Sequence, residues 1–281
     1  MELTSVKVIN EIKNKFGFEF KKGLGQNFLT DKSVLEDIAN AAKPGEGVLE
    51  IGPGFGVLTK QLSENFRKVV SIEIDSRLMD VLDYTLSDCD NVKIINEDIM
   101  KCNLEDIIKQ EFGDERISIA ANLPYYITTP IITSLIEKKL NISSIVVMIQ
   151  KEVALRLCAK PGTKDYGAIS VLCGYYTEPE IITNVSAGKF VPPPKVDSAV
   201  VRMKMREKPR VTVSDEALFF KTVKAAFAQR RKTLLNCLSA AFPYGKADIT
   251  DRMLKAGIEP NRRGETLSIE EFAQLCENLK L

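Results

Sequence analysis

The sequence predicts an α/β fold in which helices cover a mostly parallel, seven-stranded sheet, followed by a small all-helical domain. The first observation behind this prediction is that short apolar segments, typical of buried strands, alternate with segments of helical spacing. The second is that this alternation stops near Arg206, after which only helical spacing continues. We therefore expect a sheet domain at residues 1–206 and a helical domain at residues 207–281.

Each predicted element of the first domain has a local signal. Asp31 is the expected N-cap of a helix that ends near Ala42, where Pro44-Gly45 breaks it. The predicted strands are the apolar runs at residues 48–51, 69–74, 92–96, 117–121, 145–150, 181–185 and 198–205. The predicted helices between them are at residues 57–65, 77–86, 129–138 and 152–159. In such a sheet, ligands bind at the carboxyl ends of the strands.

The helical domain is predicted from caps and breakers. Ser214-Asp215-Glu216 opens a helix that runs to Ala228, and a second helix runs to Ala241. A third lies near residues 249–255 and is ended by Gly257. Ser268-Ile269-Glu270-Glu271 is a capping-box pattern before the last helix.

Composition limits the chemistry and the compartment. The chain contains no histidine, so catalysis has to proceed without the most common general base. The six cysteines show no C-x-x-C spacing, which predicts reduced packing residues and no metal site. The first twenty residues are too charged for a secretory signal, and no apolar run approaches membrane-spanning length. We expect a cytoplasmic protein, a monomer, with no membrane partner.

Charge is unevenly distributed along the chain. The residues from Val201 onward carry 16 basic and 10 acidic side chains, whereas the first 200 carry 23 and 28. A basic C-terminal part favours a polyanionic partner, with a solvated helical surface as the alternative.

A glycine-rich turn follows the first predicted strand, in Glu50-Ile51-Gly52-Pro53-Gly54-Phe55-Gly56. Glycines let the backbone approach a ligand closely. The dinucleotide pattern G-x-G-x-x-G would need glycine where Val57 stands. The spacing instead resembles the S-adenosylmethionine turn of Rossmann-like class I methyltransferases, with a generic strand–helix turn as the alternative.

Acidic residues follow the next two strands. Glu73 lies about 20 residues after the glycine turn, where an acid can accept both hydroxyls of a ribose. Asp98 follows the third strand and could accept a hydrogen bond from an adenine amine. The alternatives are a surface charge for Glu73 and a helix N-cap for Asp98.

The segment Asn122-Leu123-Pro124-Tyr125 points to the reaction. The Asn122 side-chain oxygen and the Leu123 carbonyl can both accept hydrogen bonds from one NH2 group. Pro124 stiffens the turn, and the Tyr125 ring offers a face for a base. This combination favours alkylation of an aromatic amine.

Two further segments suggest a nucleic-acid substrate. Phe190 opens Phe-Val-Pro-Pro-Pro-Lys-Val-Asp-Ser, a stiff segment in which it could form a second aromatic wall or only cap the core. The cations expected to bind RNA are Lys21, Lys22, Lys195, Arg230, Arg231 and Lys232. Solvation at the surface is the alternative for each of them.

Five motifs occur in one register between about residues 20 and 270: Lys-Gly-Leu-Gly-Gln-Asn-Phe-Leu, Glu-Ile-Gly-Pro-Gly, Asn-Leu-Pro-Tyr, Phe-Val-Pro-Pro-Pro-Lys-Val-Asp-Ser and Arg-Arg-Lys-Thr-Leu. Together they resemble the ribosomal RNA adenine dimethyltransferase family, and within it the KsgA-type (RsmA) branch. The resemblance implies S-adenosylmethionine as cofactor and two adjacent adenosines as target, in a hairpin loop near the 3′ end of 16S rRNA. The expected partner is 16S rRNA within an immature small ribosomal subunit.

The resemblance also assigns roles to residues. Asn122 would lie between the sulfonium and the target amine, and Tyr125 and Phe190 would sandwich the target adenine. Glu73 would hold the ribose and Asp98 the cofactor adenine. The expected cofactor-binding residues are Gln26, Asn27, Leu29, Gly52, Gly54, Glu73, Ile74, Asp98, Ile99 and Asn122; the expected catalytic residues are Asn122, Leu123, Pro124, Tyr125 and Phe190.

Two alternatives stay open at this point. The same fold could methylate 23S rRNA, as the related Erm enzymes do, although Arg230-Arg231-Lys232-Thr233-Leu234 and the helical tail favour the small subunit. A non-catalytic ribosome-assembly factor is the alternative from another class, against which the intact Asn-Leu-Pro-Tyr segment and Glu73 argue.

Overall fold

The computed structural model describes residues 1–18, 27–43 and 46–280, which form two compact units. The first unit comprises Met1–Ala154 and Glu180–Met205, and the second comprises Leu155–Pro179 and Arg206–Leu281. Pro44-Gly45, the predicted helix breaker, lies outside the described residues.

The described residues form nine strands and twelve α-helices, of which the last four helices follow the last strand. The strands are β1 (Phe28–Leu29), β2 (Gly47–Ile51), β3 (Lys68–Glu73), β4 (Val92–Asn96), β5 (Ile117–Asn122), β6 (Ile142–Gln150), β7 (Thr177–Val185), β8 (Phe190–Val191) and β9 (Ser198–Met205). The helices are α1 (Val6–Phe16), α2 (Lys32–Ala41), α3 (Val57–Ser63), α4 (Met79–Thr85), α5 (Leu104–Phe112), α6 (Thr128–Glu137), α7 (Lys151–Leu157), α8 (Ala168–Tyr176), α9 (Glu216–Phe227), α10 (Leu234–Ala241), α11 (Lys246–Lys255) and α12 (Ile269–Asn278).

Seven strands form one sheet in the order β4-β3-β2-β5-β6-β9-β7. The pairs β3–β4, β2–β3, β2–β5 and β5–β6 are parallel, and β6–β9 is antiparallel. All five residues of β2 are buried, as expected for a strand covered on both faces. The predicted mostly parallel seven-stranded sheet is confirmed.

A separate two-stranded sheet joins distant parts of the first unit. Strands β1 and β8 pair antiparallel, with Phe28 opposite Val191 and Leu29 opposite Phe190. The Lys189 ammonium lies 2.8 Å from an Asp31 carboxylate oxygen, and this hydrogen bond lowers the pKa of Asp31 to about 2. Asp31 also accepts from the Val34 N–H at 3.2 Å, so the predicted N-cap of α2 is confirmed.

The second unit is built around an apolar core of helical residues. Phe219, Leu238, Phe272 and Leu275 are among its fully buried members. Its last helix begins with the predicted capping box: Ser268 accepts from the Glu271 N–H at 3.1 Å, and the Glu271 carboxylate accepts from the Ser268 N–H at 2.8 Å.

The unit boundaries differ from the predicted division at residue 206. Helix α8 and its flanks, Leu155–Pro179, belong to the helical unit. Val171 and Tyr175 of this helix lie in the helical core, and its sequence AISVLCGYY is apolar almost all round. Without polar positions, such a segment has no period that distinguishes a buried helix from a strand.

Ser268→Ala should remove one half of the capping box of α12. The expected loss is about 1 kcal/mol in the free energy of unfolding, because the Glu271 N–H loses its acceptor. Urea denaturation followed by circular dichroism measures it. Ser239→Ala is the control, since its hydroxyl donates to the Leu235 carbonyl inside a helix and caps nothing. Equal losses in the two variants would contradict the prediction.

Candidate active site

A cavity opens at the carboxyl ends of four neighbouring parallel strands. Each of β2, β3, β4 and β5 ends beside it, and the residues that follow them form its wall. The predicted site residues that line it are Asn27, Leu29, Gly52, Gly54, Glu73, Ile74, Asp98, Ile99, Asn122, Leu123, Pro124 and Tyr125. The structure thus brings together segments that are far apart in the sequence.

The glycine turn presents bare backbone to the cavity. Gly52 and Gly54 have φ angles of 72° and 61°, a region that side-chain-bearing residues rarely adopt. A Cβ atom on Gly54 would lie 2.9 Å from the Phe28 ring, whereas one on Gly52 would meet no atom within 4 Å. Gly54 is therefore required for close packing, and Gly52 leaves open space beside the main chain.

Glu73 is a buried carboxylate held by main-chain donors. The Gly54 N–H donates to its Oε2 at 3.3 Å, and the Asp75 N–H donates to its Oε1 at 2.8 Å. Burial raises the pKa of Glu73, and the two N–H groups oppose that shift. These bonds fix the direction of the carboxylate at the end of β3 and tie it to the glycine turn.

Glu50, at the strand position before Ile51, is a second buried carboxyl under the turn. The hydroxyls of Thr59 and Ser71 each donate to its Oε2 at 2.7 Å. Its Oε1 has no hydrogen-bond partner within the described part of the chain. Burial raises the pKa of Glu50 to about 7, with the charge of Glu73 adding to the shift.

Asp98 caps a turn and not a helix, and its predicted contact with the cofactor adenine stays a prediction. Its Oδ1 accepts from the Met100 N–H at 3.0 Å, and its Oδ2 lies 3.5 Å from the Lys101 ammonium, so it caps the turn after β4. It also lines the cavity with Ile99 and the 55% exposed Ile74. A carboxylate oxygen can accept more than one hydrogen bond, so capping leaves Asp98 able to accept another.

The orientation of the Asn122 amide follows from its partner. Its Nδ2 donates to the Asn27 carbonyl at 3.1 Å. A carbonyl only accepts, so the nitrogen must face Asn27 and Oδ1 is the atom left to accept from elsewhere. In the described residues, neither Asn122 Oδ1 nor the Leu123 carbonyl receives a hydrogen bond.

The rest of the turn is held firmly. The Leu123 N–H donates to the Met148 carbonyl at 3.1 Å, and the Thr128 hydroxyl donates to the Pro124 carbonyl at 3.0 Å. The hydroxyls of Tyr125 and Ser198 lie 2.7 Å apart, and burial raises the pKa of Tyr125. Its ring is thereby fixed at the cavity wall.

Phe190 does not line the cavity in this structure. It is 3% exposed, pairs with Leu29 across the β1–β8 ladder and belongs to the apolar core. Burial of its aromatic ring in the core is favourable. A position exposed to water beside the cavity would lose that stabilisation. The sandwich of the adenine between Tyr125 and Phe190 stays a prediction that this conformation does not support.

Four of the six predicted RNA-binding cations lie in the described residues, and all four are exposed. Lys195 is exposed between β8 and β9, and Arg230, Arg231 and Lys232 are exposed after α9 in the helical unit. Arg230 donates to the Lys164 carbonyl. Gln26, Lys21 and Lys22 lie outside the described residues.

The sequence analysis missed two aromatic residues of the cavity. Phe28 stacks on the buried Phe55 with ring centroids 4.2 Å apart and sets the space beside Gly54. Tyr126 lines the cavity and is 60% exposed. Each directly follows a predicted site residue: Phe28 follows Asn27, and Tyr126 follows Tyr125. This adjacency is the signal in the sequence that could have identified them.

These features fit a nucleoside-bearing ligand. Gly52 offers backbone without a side chain, Glu73 offers a fixed carboxylate for hydroxyl donors, and Ile74 and Ile99 offer apolar contact for a planar ring. Asp98 adds an acceptor for an amine. The residues present therefore suit the parts of S-adenosylmethionine.

The sequence profile described as ribosomal RNA adenine dimethylase matches residues 17–281. The chain belongs to this family. The predicted enzyme class is confirmed, and S-adenosylmethionine is the cofactor of this methyltransferase.

Curated relatives resemble the chain over nearly its whole length. The ribosomal RNA small subunit methyltransferase A of Bacillus cytotoxicus is 52% identical over 275 residues, 96% of this chain and 94% of the relative. The protein of the same name from Bacillus mycoides is 51% identical over 278 residues, 96% of this chain and 95% of the relative.

Solved structures show the same fold. A dimethyladenosine transferase from Plasmodium falciparum matches with a TM-score of 0.73 and 26% identity, over 88% of this chain and 95% of its own. The 23S rRNA methyltransferase ErmE matches with a TM-score of 0.68 and 27% identity, over 90% of this chain and 99% of its own. The predicted Rossmann-like methyltransferase fold is confirmed.

Glu50→Gln should change how stability depends on pH. Burial raises the pKa of Glu50 to about 7 in the folded protein, whereas the pKa of a glutamate in the unfolded chain is about 4.5. Between these values the unfolded state binds fewer protons, so this group makes the wild type less stable as pH rises. Relative to Glu50→Gln, the wild type should lose on the order of 3 kcal/mol of unfolding free energy between pH 4.5 and 8.

Urea denaturation at a series of pH values measures this difference. Glu64→Gln, a change at an exposed glutamate, serves as the control and should run parallel to the wild type. A Glu50→Gln curve that also runs parallel to the wild type would show that the carboxyl is ionised in the fold.

Proposed function

We propose that the enzyme dimethylates the exocyclic N6 amines of two adjacent adenosines in a hairpin loop near the 3′ end of 16S rRNA. Its substrate is the RNA within an immature small ribosomal subunit, and it acts in the cytoplasm as a monomer. In the described residues, no helix has the length and apolarity to cross a membrane.

The observation that carries the proposed chemistry is the pair of oxygens at the Asn122 turn. Asn122 Oδ1 and the Leu123 carbonyl belong to adjacent cavity-lining residues and receive no hydrogen bond from the described chain. Two acceptors side by side match the two N–H bonds of one amine. The Asn27 carbonyl keeps the Asn122 amide from turning its nitrogen toward that amine.

This pair of acceptors addresses the weakness of adenine as a nucleophile. The lone pair of the N6 amine is delocalised into the ring, so the nitrogen must become pyramidal before it can attack. Hydrogen bonds to both oxygens favour that geometry and stabilise the positive charge that develops on nitrogen. S-adenosylmethionine, when bound, supplies the electrophilic methyl group.

No general base is required for this chemistry. The proton becomes acidic once nitrogen carries positive charge and can leave to water after the transfer. This agrees with a chain that contains no histidine. After one transfer a single N–H remains, so the second transfer needs only one of the two acceptors.

The base must leave its stack to reach the cavity, which favours a loop over a duplex. Tyr125, fixed by Ser198, offers a ring face to the extruded base. The exposed cations Lys195, Arg230, Arg231 and Lys232 would contact phosphates.

Sequence similarity favours the small-subunit target over 23S rRNA. The relatives named as small subunit methyltransferases are 51–52% identical to the chain, whereas the 23S rRNA methyltransferase ErmE is 27% identical.

Methyl transfer from labelled S-adenosylmethionine tests the proposed target. Small-subunit particles that lack the modification should accept about four methyl groups each, two on each of two adjacent adenosines, and free 23S rRNA should accept none. Reverse-transcription mapping locates the label. Transfer to 23S rRNA alone, or to neither RNA, would reject the proposal.

Asn122→Ala should abolish transfer while the cofactor still binds. Loss of one positioned acceptor should lower kcat by about 100-fold or more, because the charge on the amine loses a stabilising oxygen. Single-turnover methylation measures the rate, and calorimetry with S-adenosylmethionine measures binding.

Asn65→Ala is the matched control. The Asn65 amide also donates to a backbone carbonyl, that of Gln61 at 2.8 Å, but does not line the cavity. Its turnover should equal that of the wild type. Near-normal turnover of Asn122→Ala would refute the role given to Asn122.

A further inference from the structure

An exposed aromatic ring stands at the mouth of the cavity. Tyr126 lines the cavity and is 60% exposed. In the part of the chain that the structure describes, it makes no hydrogen bond and no ring contact. Its ring is therefore available to a ligand.

Tyr126 differs in this respect from the tyrosine before it. Tyr125 is partly buried, and its hydroxyl lies 2.7 Å from that of Ser198. Adjacent tyrosines thus have different surroundings: one is fixed at the cavity wall and the other extends into solvent at its rim. Packing explains the position of Tyr125 but not that of Tyr126.

Two exposed residues lie just before Ser198, the hydrogen-bond partner of Tyr125, in the sequence. Val196 is 47% exposed and stands two residues before Ser198, whose hydroxyl contacts Tyr125. Lys195 precedes it, is exposed, and makes no ion pair among the described residues. We call Tyr126, Lys195 and Val196 the rim surface.

We propose that the rim surface holds the unpaired nucleotide next to the target adenosine, with its base stacked on Tyr126 and its phosphate near Lys195. This inference rests on the proposed function, because it assumes a target base extruded from single-stranded RNA. Aromatic rings that carry bases and cations that follow the backbone are the common means of binding such RNA.

The geometry of RNA supports a neighbouring nucleotide as the ligand of the rim surface. Extrusion of the target removes a stacking partner from its neighbour, so one face of the neighbouring base is left exposed. One phosphodiester tethers that neighbour to the target, which keeps it at the cavity mouth. An exposed ring there replaces the lost stacking, independently of the identity of the base.

Fluorescence of 2-aminopurine tests the proposal. Small-subunit particles are prepared by splinted ligation, with 2-aminopurine at the nucleotide immediately 5′ or immediately 3′ of the two mapped target adenosines. Wild-type enzyme should quench the probe on one side, because stacking quenches its emission. Tyr126→Ala should abolish that quenching and weaken binding of the particle by about 5- to 100-fold.

Three variants separate stacking from other effects. Tyr126→Phe keeps the ring and should match the wild type in quenching and affinity. Tyr126→Leu keeps apolar bulk but should lose the quenching. Tyr84→Ala removes another exposed tyrosine that does not line the cavity, and RNA binding should not change.

The outcomes distinguish a failure of the inference about Tyr126 from a failure of the proposed methylation target. Equal quenching by wild type and Tyr126→Ala overturns the inference while leaving the methylation target intact, and so does loss of quenching in Tyr126→Phe. If the enzyme methylates a different RNA, the proposed target fails. The probe is then placed beside the base mapped in that RNA, where the same comparison decides on Tyr126.

Discussion

The site depends on the parallel pairing of four neighbouring strands. β2 pairs in register with both β3 and β5, and Glu73 at the end of β3 pairs with Asn96 at the end of β4. The carboxyl ends therefore meet at one edge, where the glycine turn, Glu73 and Asn122 face the same space. Without this pairing, the fold would not bring residues 52, 73, 98 and 122 close together.

One hydrogen bond sets the orientation of the Asn122 side-chain amide. The Asn27 carbonyl accepts from Asn122 Nδ2, and this selects the side-chain oxygen as the group available to a ligand. The residue that makes the selection is held in turn by the short β1 strand beside it. The orientation of the Asn122 amide at the end of β5 thus depends on a segment 95 residues earlier in the chain.

The strands of the seven-stranded sheet could be predicted from the sequence, because the spacing of their apolar residues and their composition both indicate strands. Residues 92–96 and 198–205 match their predicted bounds, and the caps at Asp31, Asp215 and Ser268 are observed. Three helices, α1, α5 and α8, were not assigned, and α8 illustrates why: an apolar segment has no readable period. The β1–β8 pairing and the burial of Phe190 depend on contacts between distant segments, which no local pattern encodes.

The two-residue ladder has a further consequence. Leu29 lines the cavity, and its main chain pairs with that of Phe190, whose ring is buried in the apolar core. Because the burial of Phe190 anchors this ladder in the core, core packing fixes the main chain that carries Leu29 and, with it, one part of the cavity wall.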